Sequence, residues 1–263
     1  MKWLKGLLIN IQFFTTIPLP LELPMDGPHL KKAVQTFPII GILQGMLYSA
    51  ILWLLVEWTP FSNIAIAFMI WLLTILITGG IHLDGWMDAS DAYFSYRDLD
   101  KRLEIMKDPR TGAFGVLSII VLLSARFLFI YEIVEMLQPE TYLLIAFIPF
   151  LSKNMMGVLL LSIPSAKKEG LGALFQASAT LPSIRIYIVY IVIGLSFLIT
   201  LNIGTLLMVA ILFLVVLTLY IFLKRKIVKW FSGITGDVLG ASVEGTEGIL
   251  WMTLWLLHYF AMG

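Results

Sequence analysis

The sequence lacks cysteine and is poor in charge. None of its 263 residues is a cysteine, which excludes a disulfide framework, a catalytic thiolate and a cysteine-bound zinc. Charged residues make up 13% of the chain, whereas soluble domains carry about 25%. Hydrophobic residues make up 59%, more than a soluble fold of this length can bury. The composition therefore excludes an ordinary cytosolic enzyme and predicts a polytopic membrane protein. The net charge of +1 argues against a nucleic-acid partner.

Seven apolar stretches are long enough to cross a bilayer as helices, which takes about 20 residues each. They cover roughly residues 33–56, 61–82, 113–136, 141–162, 184–201, 204–223 and 237–260. The first 21 residues are interrupted at Pro18 and Pro20, and we predict an interfacial helix there rather than an eighth span. The expected fold is an all-α membrane bundle that forms one integral-membrane domain over residues 1–263.

Of the 18 lysines and arginines, 16 lie outside the membrane stretches or at their edges, and these occur only in alternate connections. They precede the first span and lie between spans two and three, four and five, and six and seven: Lys2, Lys5, Lys31, Lys32, Arg97, Lys101, Arg102, Lys107, Arg110, Lys167, Lys168, Arg185, Lys224, Arg225, Lys226 and Lys229. The connections near Thr59, Gln138 and Asn202 have none. With seven spans every loop cation falls on one side, which the positive-inside rule makes cytoplasmic. The N terminus is then inside and Gly263 outside.

Acidic residues concentrate first after the second span, in the segment Gly79-Gly-Ile-His-Leu-Asp-Gly-Trp-Met-Asp-Ala-Ser-Asp91. On a helix Asp84, Asp88 and Asp91 are spaced i, i+4, i+7 and fall within about 60° on one face. No lysine or arginine lies between Ile81 and Tyr96 to offset their repulsion. We interpret this face as a divalent-cation site, where oxygen ligands favour Mg²⁺ or Mn²⁺ over zinc. A solvated acidic helix end is the alternative.

The same connection continues into a predicted short amphipathic helix. Leu99, Leu103 and Met106 form its apolar stripe at i, i+4, i+7. Asp98 is the expected N-cap, and Pro109 ends the pattern.

Two more carboxylates, Glu104 and Asp108, are four residues apart on a different face of that helix. They either complete the metal site or form surface pairs with Lys101 and Lys107. His82 borders the first acidic cluster and is a candidate for phosphate binding or for supporting a metal ligand.

A second acidic group lies in the seventh span, where Asp237 opens the helix and Glu244 and Glu247 follow within it. A carboxylate inside a membrane costs at least about 2.5 kcal/mol and is functional by default. We expect this group to form a second acidic wall facing the first cluster. The expected partners are the two cations within spans, Arg126 and Lys153, and purely structural buried ion pairs are the alternative.

Several of these segments together resemble the signature of the cobalamin synthase family. The matching runs are residues 14–18, 37–41, 79–91, 104–115, 168–172 and 235–247. The resemblance extends from about residue 10 to 250, and the blocks around Asp84 and Asp108 are its most specific parts. One departure is Lys153, where the family is expected to favour arginine after serine.

The resemblance implies a membrane transferase that joins adenosylcobinamide-GDP to α-ribazole or its 5′-phosphate. GMP leaves, and adenosylcobalamin or its 5′-phosphate forms as the last assembly step of the nucleotide loop. Mg²⁺ is the implied cofactor. The implied location is the cytoplasmic membrane of a bacterium or archaeon, with several passes through the bilayer and an active site that faces the cytoplasm. A homo-oligomer is left open.

The expected site residues follow from the acidic groups and the implied reaction together. Metal binding is assigned to Asp84, Asp88, Asp91, Glu104 and Asp108; substrate binding to His82, Lys107, Arg110 and Glu247; catalysis to Glu244 and Asp237. In this hypothesis Glu244 accepts the proton of the attacking ribazole hydroxyl, and metal ligation is the competing role for Asp237.

Two other functions are weighed against this one. Intramembrane glutamates also suit a cation-coupled transporter, but the sequence has no internal repeat and its charge is concentrated near one membrane face. A lipid phosphotransferase of the CDP-alcohol type shares an Asp-Gly motif with aspartates at helical spacing, but this chain has no Ala-Arg after Asp84-Gly85.

Overall fold

The computed structural model describes residues 1–199 and 203–262, and the side chains of residues 1–197 and 203–262. Within these ranges the chain is helical and forms no strand, and Ser165 and Ile234 make an isolated parallel bridge. The α-helices are α1 (Lys2–Phe14), α2 (Gly27–Gln35), α3 (Phe37–Trp58), α4 (Asn63–Leu76), α5 (Ile81–Phe94), α6 (Leu99–Ile105), α7 (Ala113–Glu135), α8 (Pro139–Ser162), α9 (Leu171–Ser178), α10 (Arg185–Ile199), α11 (Ile203–Phe231) and α12 (Gly236–Leu257). A 3₁₀ turn (Leu181–Ile184) precedes α10, and a π-helical turn (His258–Met262) follows α12. The predicted all-α class is confirmed.

Four helices in the described ranges, α3, α7, α8 and α11, are long and apolar enough to cross a membrane. Two bent pairs raise the number to six if each pair counts as one span: α4 with α5, and α9 with the segment from residue 181 to 197. The helix α12 coincides with the seventh predicted span, but it carries three carboxylates and is not among the four candidate spans. The multi-pass character is thus established, and the count of seven stays a prediction.

The second predicted span is shorter than expected. The helix α4 ends at Leu76, and Gly79 and Gly80 both adopt positive φ, at 62° and 77°. This backbone region favours glycine because a Cβ is crowded there. The chain therefore turns by 80° into α5, which carries the first acidic cluster away from the line of α4.

The first predicted span also begins later than expected, at Phe37 instead of residue 33. The helix breaks at Thr36, and Pro38 at the start of α3 has no N–H to continue the preceding helix. The N-terminal helix α1 packs against α2, where the buried Asn10 amide donates to Ala33 O at 2.8 Å and to Thr36 Oγ1 at 2.9 Å.

The helix α8 is the centre of the bundle and is buried continuously from Leu144 to Gly157. It packs closely on α3 because Gly41 has no side chain: a Cβ there would lie 2.9 Å from Phe150 Cα. On another side it contacts α12, which in turn packs along α5 and α7.

The two ends of the bundle differ in their contacts. At one end His258 Nε2 lies 2.7 Å from Thr141 Oγ1, and the Tyr259 hydroxyl donates to Glu132 at 2.6 Å. The end of α12 thus meets the start of α8 and the end of α7. The start of α12 lies at the opposite end with α5, α9 and the lysine-rich connections, and we call this the basic end.

Candidate active site

A cavity of about 280 Å³ opens at the basic end, where α5, α9 and α12 all begin. Its lining includes Phe14, Phe37, His82, Asp84, Lys167, Glu169, Gly170, Phe175, Thr235 and Asp237. The first-turn amides of a helix have no acceptor within the helix, and they favour anions. Three helix starts beside acidic and basic side chains make this cavity suited to a diphosphate with its counterion.

The start of α12 places Asp237 in the cavity. Thr235 caps the helix by accepting a hydrogen bond from Val238 N at 3.1 Å. The Asp237 carboxylate lies 3.5 Å from the Lys167 ammonium. Gly85 of α5 packs directly on this turn, since a Cβ there would lie 2.6 Å from Asp237 O. This close approach is what brings Asp84 and Asp237 to one cavity.

The carboxylate of Asp88 lies among others of the same charge. Because α5 turns away from α4 by 80°, Asp88 does not lie on the continuation of the α4 helix axis. Partial burial raises the pKa of Asp88 to about 6, and the neighbouring carboxylates add to the effect, in the order Asp84, Asp237, Asp91. Lys167 opposes this shift only in part. The excess negative charge here is what a bound cation would relieve.

Asp91 has a different environment from the one expected for a metal ligand. Its carboxylate accepts hydrogen bonds from Gly112 N at 2.7 Å and Gly115 N at 2.8 Å, at the start of α7. A carboxylate at this position satisfies free amides and complements the helix dipole. Asp91 therefore anchors α7 to α5.

Glu104 and Asp108 are likewise engaged away from the cavity. The predicted amphipathic helix is present as α6, and Asp98 caps it through Lys101 N at 2.9 Å. Glu104 pairs with Lys101 at 2.8 Å on the surface. The Glu104 contact corresponds to the surface-pair alternative with Lys101, whereas Asp108 pairs with Arg110 and not with Lys107.

Arg110 donates two side-chain hydrogen bonds to the carboxylate of Asp108, at 2.9 and 2.7 Å. These bonds hold the pKa of Asp108 to about 2. Lys107 is exposed, and neither Lys107 nor Arg110 lines the cavity. The structure does not bring the segment 104–110 together with Asp84.

The predicted five-residue metal set is not assembled. In the part of the chain that the structure describes, no three histidine, aspartate or glutamate side chains form a metal-binding group. The carboxylates left in or near the cavity are Asp84, Asp88, Glu169 and Asp237. Magnesium is commonly held by one or two carboxylates together with substrate phosphates. The remaining carboxylates fit a Mg²⁺ that is bound partly by substrate phosphates. They do not fit a Mg²⁺ whose ligands all come from the protein.

His82 lies in the cavity wall, where its ring stacks on Phe14 with centroids 5.7 Å apart. The side chain is buried, and Nε2 has no hydrogen-bond partner among the described residues. An unpaired buried nitrogen is costly, so His82 is available to a ligand in the cavity.

The two glutamates of α12 lie deeper in the bundle than Asp237. Glu244 accepts a hydrogen bond from Arg126 Nη2 at 2.5 Å, and both side chains are buried. Glu247 accepts one from Ser152 at 2.7 Å and lies 3.6 Å from the Lys153 ammonium. The predicted partners, Arg126 and Lys153, are thus confirmed.

Because of these ion pairs, the three carboxylates of α12 do not form the single acidic wall that was predicted. Asp237 faces the cavity with Asp84, whereas Glu244 and Glu247 do not line it. The arrangement corresponds to the structural alternative for the two glutamates, and their positions do not favour roles in proton transfer or substrate binding.

Sequence reasoning did not single out Lys167, nor the aromatic wall of Phe14, Phe37 and Phe175. The rings of Phe14 and Phe37 meet edge to face at 5.6 Å, and Phe175 contacts both. The available signal was that Phe14 and Phe37 each begin a run shared with the cobalamin synthase signature, and that Lys167 precedes another. Nothing in the sequence indicated that these runs meet.

The fold and the cavity define a helical membrane protein with a cavity lined by acidic and basic side chains at one end. The chain belongs to the cobalamin-5-phosphate synthase family, whose profile matches residues 6–255. The resemblance found in the sequence is therefore confirmed.

Relatives from several bacteria align over nearly the whole chain. A protein of Geobacillus sp. (strain WCH70) is 38% identical over 260 residues, covering 98% of each chain. One of Geobacillus kaustophilus (strain HTA426) is 39% identical over 98% of each chain. One of Clostridioides difficile (strain 630) is 32% identical over 97% of this chain and 99% of its own. All three are named adenosylcobinamide-GDP ribazoletransferase. No solved structure matches the chain.

Proposed function

We propose that this chain joins adenosylcobinamide-GDP to α-ribazole or its 5′-phosphate, releasing GMP. The product is adenosylcobalamin or its 5′-phosphate. Family membership and the names of the relatives support this activity. The observation that carries the proposal is that Asp84, Asp237 and Lys167 share one cavity with three helix starts.

The reaction exchanges a phosphoanhydride bond for a phosphate ester bond. A hydroxyl oxygen of the ribazole forms a bond to the phosphorus that carries cobinamide, and the bond from that phosphorus to the GMP oxygen breaks. The hydroxyl proton passes to a carboxylate of the cavity. Mg²⁺, when bound, supplies positive charge that stabilises the leaving phosphate.

The chain's own residues have separate roles in this proposal. Asp84 and Asp237 hold the metal with the substrate diphosphate, and Asp88 adds negative charge behind them. The Lys167 ammonium and the amides at the starts of α9 and α12 bind phosphate oxygens. His82 donates or accepts a hydrogen bond at the buried side of the cavity.

The position of the cavity supports a cytoplasmic active site. The cavity lies at the basic end, next to the lysine-rich connections, and the positive-inside rule places such connections in the cytoplasm. We therefore place the site at the cytoplasmic face of a bacterial or archaeal cell membrane.

The buried ion pairs weaken the case for the transporter alternative. Intramembrane glutamates suggested ion coupling, but Arg126 neutralises Glu244, and Lys153 lies beside Glu247. A lipid phosphotransferase would use similar metal chemistry. Only an assay with each substrate distinguishes the two enzyme activities.

The deciding experiment measures GMP release by purified protein in lipid nanodiscs. We expect release from adenosylcobinamide-GDP that requires both ribazole and Mg²⁺, and no CMP release from CDP-diacylglycerol. Separate arms with α-ribazole and its 5′-phosphate identify the preferred acceptor. Product formation from CDP-diacylglycerol, or ion flux without GMP release, would overturn the proposal.

A further inference from the structure

A second and larger cavity, of about 770 Å³, lies between α5, α7, α11 and α12. Its walls are almost entirely apolar and include Trp86, Phe129 and Ile249. Leu117 and Val121 on its α7 rim are 58% and 61% exposed. In a chain that spans a membrane, this groove faces the hydrocarbon of the bilayer and not water. We call it the lateral groove.

The lateral groove meets a cationic pocket at the basic end of the bundle. The pocket is lined by Arg97, Arg102 and Lys229, and it shares Tyr93 and Trp230 with the groove. The one carboxylate in its lining, Asp98, accepts the capping bond from Lys101 N at 2.9 Å. Three cations thus stand at the mouth of an apolar groove.

Arg102 is held in place at this mouth. Its Nη1 donates to Trp230 O at 3.1 Å, and its guanidinium lies over the Tyr93 ring, 5.6 Å from the centroid. Its buried Nε has no hydrogen-bond partner within residues 1–199 and 203–262. Lys226 lies 5.2 Å from the Trp230 ring centroid on the same side. Arg102 is therefore a fixed donor at the mouth with unused hydrogen-bonding capacity.

We propose that the lateral groove and its mouth form a site for an anionic phospholipid of the surrounding bilayer. The acyl chains lie in the groove, and the headgroup phosphate binds Arg97, Arg102 and Lys229. Basic pockets beside transmembrane helices bind anionic headgroups in this way. Tyr93 and Trp230, at the junction, are the residue types that occupy the level of the headgroups.

The lateral groove is distinct from the candidate active site. No residue lines both cavities, and α5 and α12 separate them: Asp84 and Gly240 face one cavity, whereas Trp86 and Ala241 face the other. The proposal therefore does not depend on the proposed reaction. The three cations at the mouth favour an anionic occupant over a purely apolar one.

Native mass spectrometry of the detergent-solubilised full chain tests the site, with phosphatidylglycerol and phosphatidylcholine of identical acyl chains as probes. We expect one tightly bound phosphatidylglycerol and at least tenfold weaker binding of phosphatidylcholine. The double variant Arg97→Gln, Lys229→Gln removes two exposed cations of the mouth and should abolish this preference. The matched control Lys224→Gln, Arg225→Gln removes equal charge from α11 outside the mouth and should keep it.

The groove itself is tested by filling it. Ala125→Phe places a ring in the groove and should reduce binding of both lipids, whereas Ser124→Phe on the neighbouring exposed position should not. A phosphatidylglycerol with a photoreactive acyl chain should crosslink to α7 and α11. Equal binding of the two lipids, an equal effect of both double variants, or crosslinks elsewhere would each overturn the proposal. A dimer whose contact protects the groove from crosslinking would assign it to a second copy instead.

Discussion

Arg126 and Glu244 form a buried ion pair, with Nη2 and Oε2 2.5 Å apart, that joins α7 to α12 inside the bundle. Removing one partner leaves an uncompensated buried charge, which typically costs about 3 kcal/mol or more. We expect Arg126→Met to lower the apparent melting temperature of the protein in nanodiscs by several degrees. The double variant Arg126→Met, Glu244→Met should recover most of the loss, and an unchanged melting temperature of the single variant would contradict the pairing.

The same pair distinguishes a structural Glu244 from a catalytic one. In Glu244→Gln the side-chain oxygen still accepts a hydrogen bond from Arg126, so we expect GMP release within about tenfold of the wild type. A general base typically contributes about 10²–10⁴-fold. A loss of turnover of at least about a hundredfold, in a folded variant whose residual activity keeps the wild-type Mg²⁺ dependence, would instead identify Glu244 as the base.

Asp84 and Asp237 should be essential for turnover. Each change to asparagine removes one negative ligand from the cavity, and we expect GMP release to fall at least about a hundredfold, the scale of losing a key electrostatic group. The Mg²⁺ concentration for half-maximal activity should rise. Asp100→Asn, in the exposed first turn of α6, is the matched control and should behave as wild type. Wild-type turnover by either site variant would remove that residue from the metal site.

Asp91 should behave as a structural anchor and not as a metal ligand. Its two hydrogen bonds to the start of α7 are charge-assisted, and each such bond contributes about 1.5–3 kcal/mol. We expect Asp91→Ala to lower thermal stability while the Mg²⁺ concentration for half-maximal activity stays unchanged. A shift of that Mg²⁺ concentration without a loss of thermal stability would indicate that Asp91 is a metal ligand.

Local spacing predicted the acidic helix but not the partners of its carboxylates. The i, i+4, i+7 pattern correctly placed Asp84, Asp88 and Asp91 on one helix. The contact of Asp91 with Gly112 joins residues 21 positions apart and depends on how α7 packs on α5. Lys167 reaches Asp237 across a still longer separation. Such contacts follow from tertiary packing, which helical periodicity does not encode.

The membrane character was predicted from hydropathy because long apolar runs suffice to identify spans. The break at Gly79 and Gly80 was less evident, since both residues lie at the end of an apolar run. Paired glycines permit a left-handed turn but do not require one. The pairing of Arg126 with Glu244 was predictable because an intramembrane charge needs a partner. Apart from Arg185 at the edge of the fifth span, the spans offer only Arg126 and Lys153.

Gly85 should be intolerant of a side chain. A Cβ at this position would lie 2.6 Å from Asp237 O, so Gly85→Ala must push α5 away from α12. We expect a loss of GMP release of at least about tenfold, because small displacements at a site reduce turnover strongly. Gly27→Ala, where a Cβ meets nothing within 4 Å, is the matched control. Equal activity of the two variants would contradict the close approach of these helices.

The loop cations predict the orientation of the chain in the membrane. Every loop lysine and arginine falls on one side if the chain crosses seven times, and the positive-inside rule makes that side cytoplasmic. A reporter fused after Gly263 should then read extracytoplasmic, and one inserted within residues 165–180 should read cytoplasmic. The contacts of His258 with Thr141 and of Tyr259 with Glu132 agree in placing the end of α12 opposite the basic end. A cytoplasmic C terminus would require an even number of crossings, and it would also move either α12 or the candidate site to the other face.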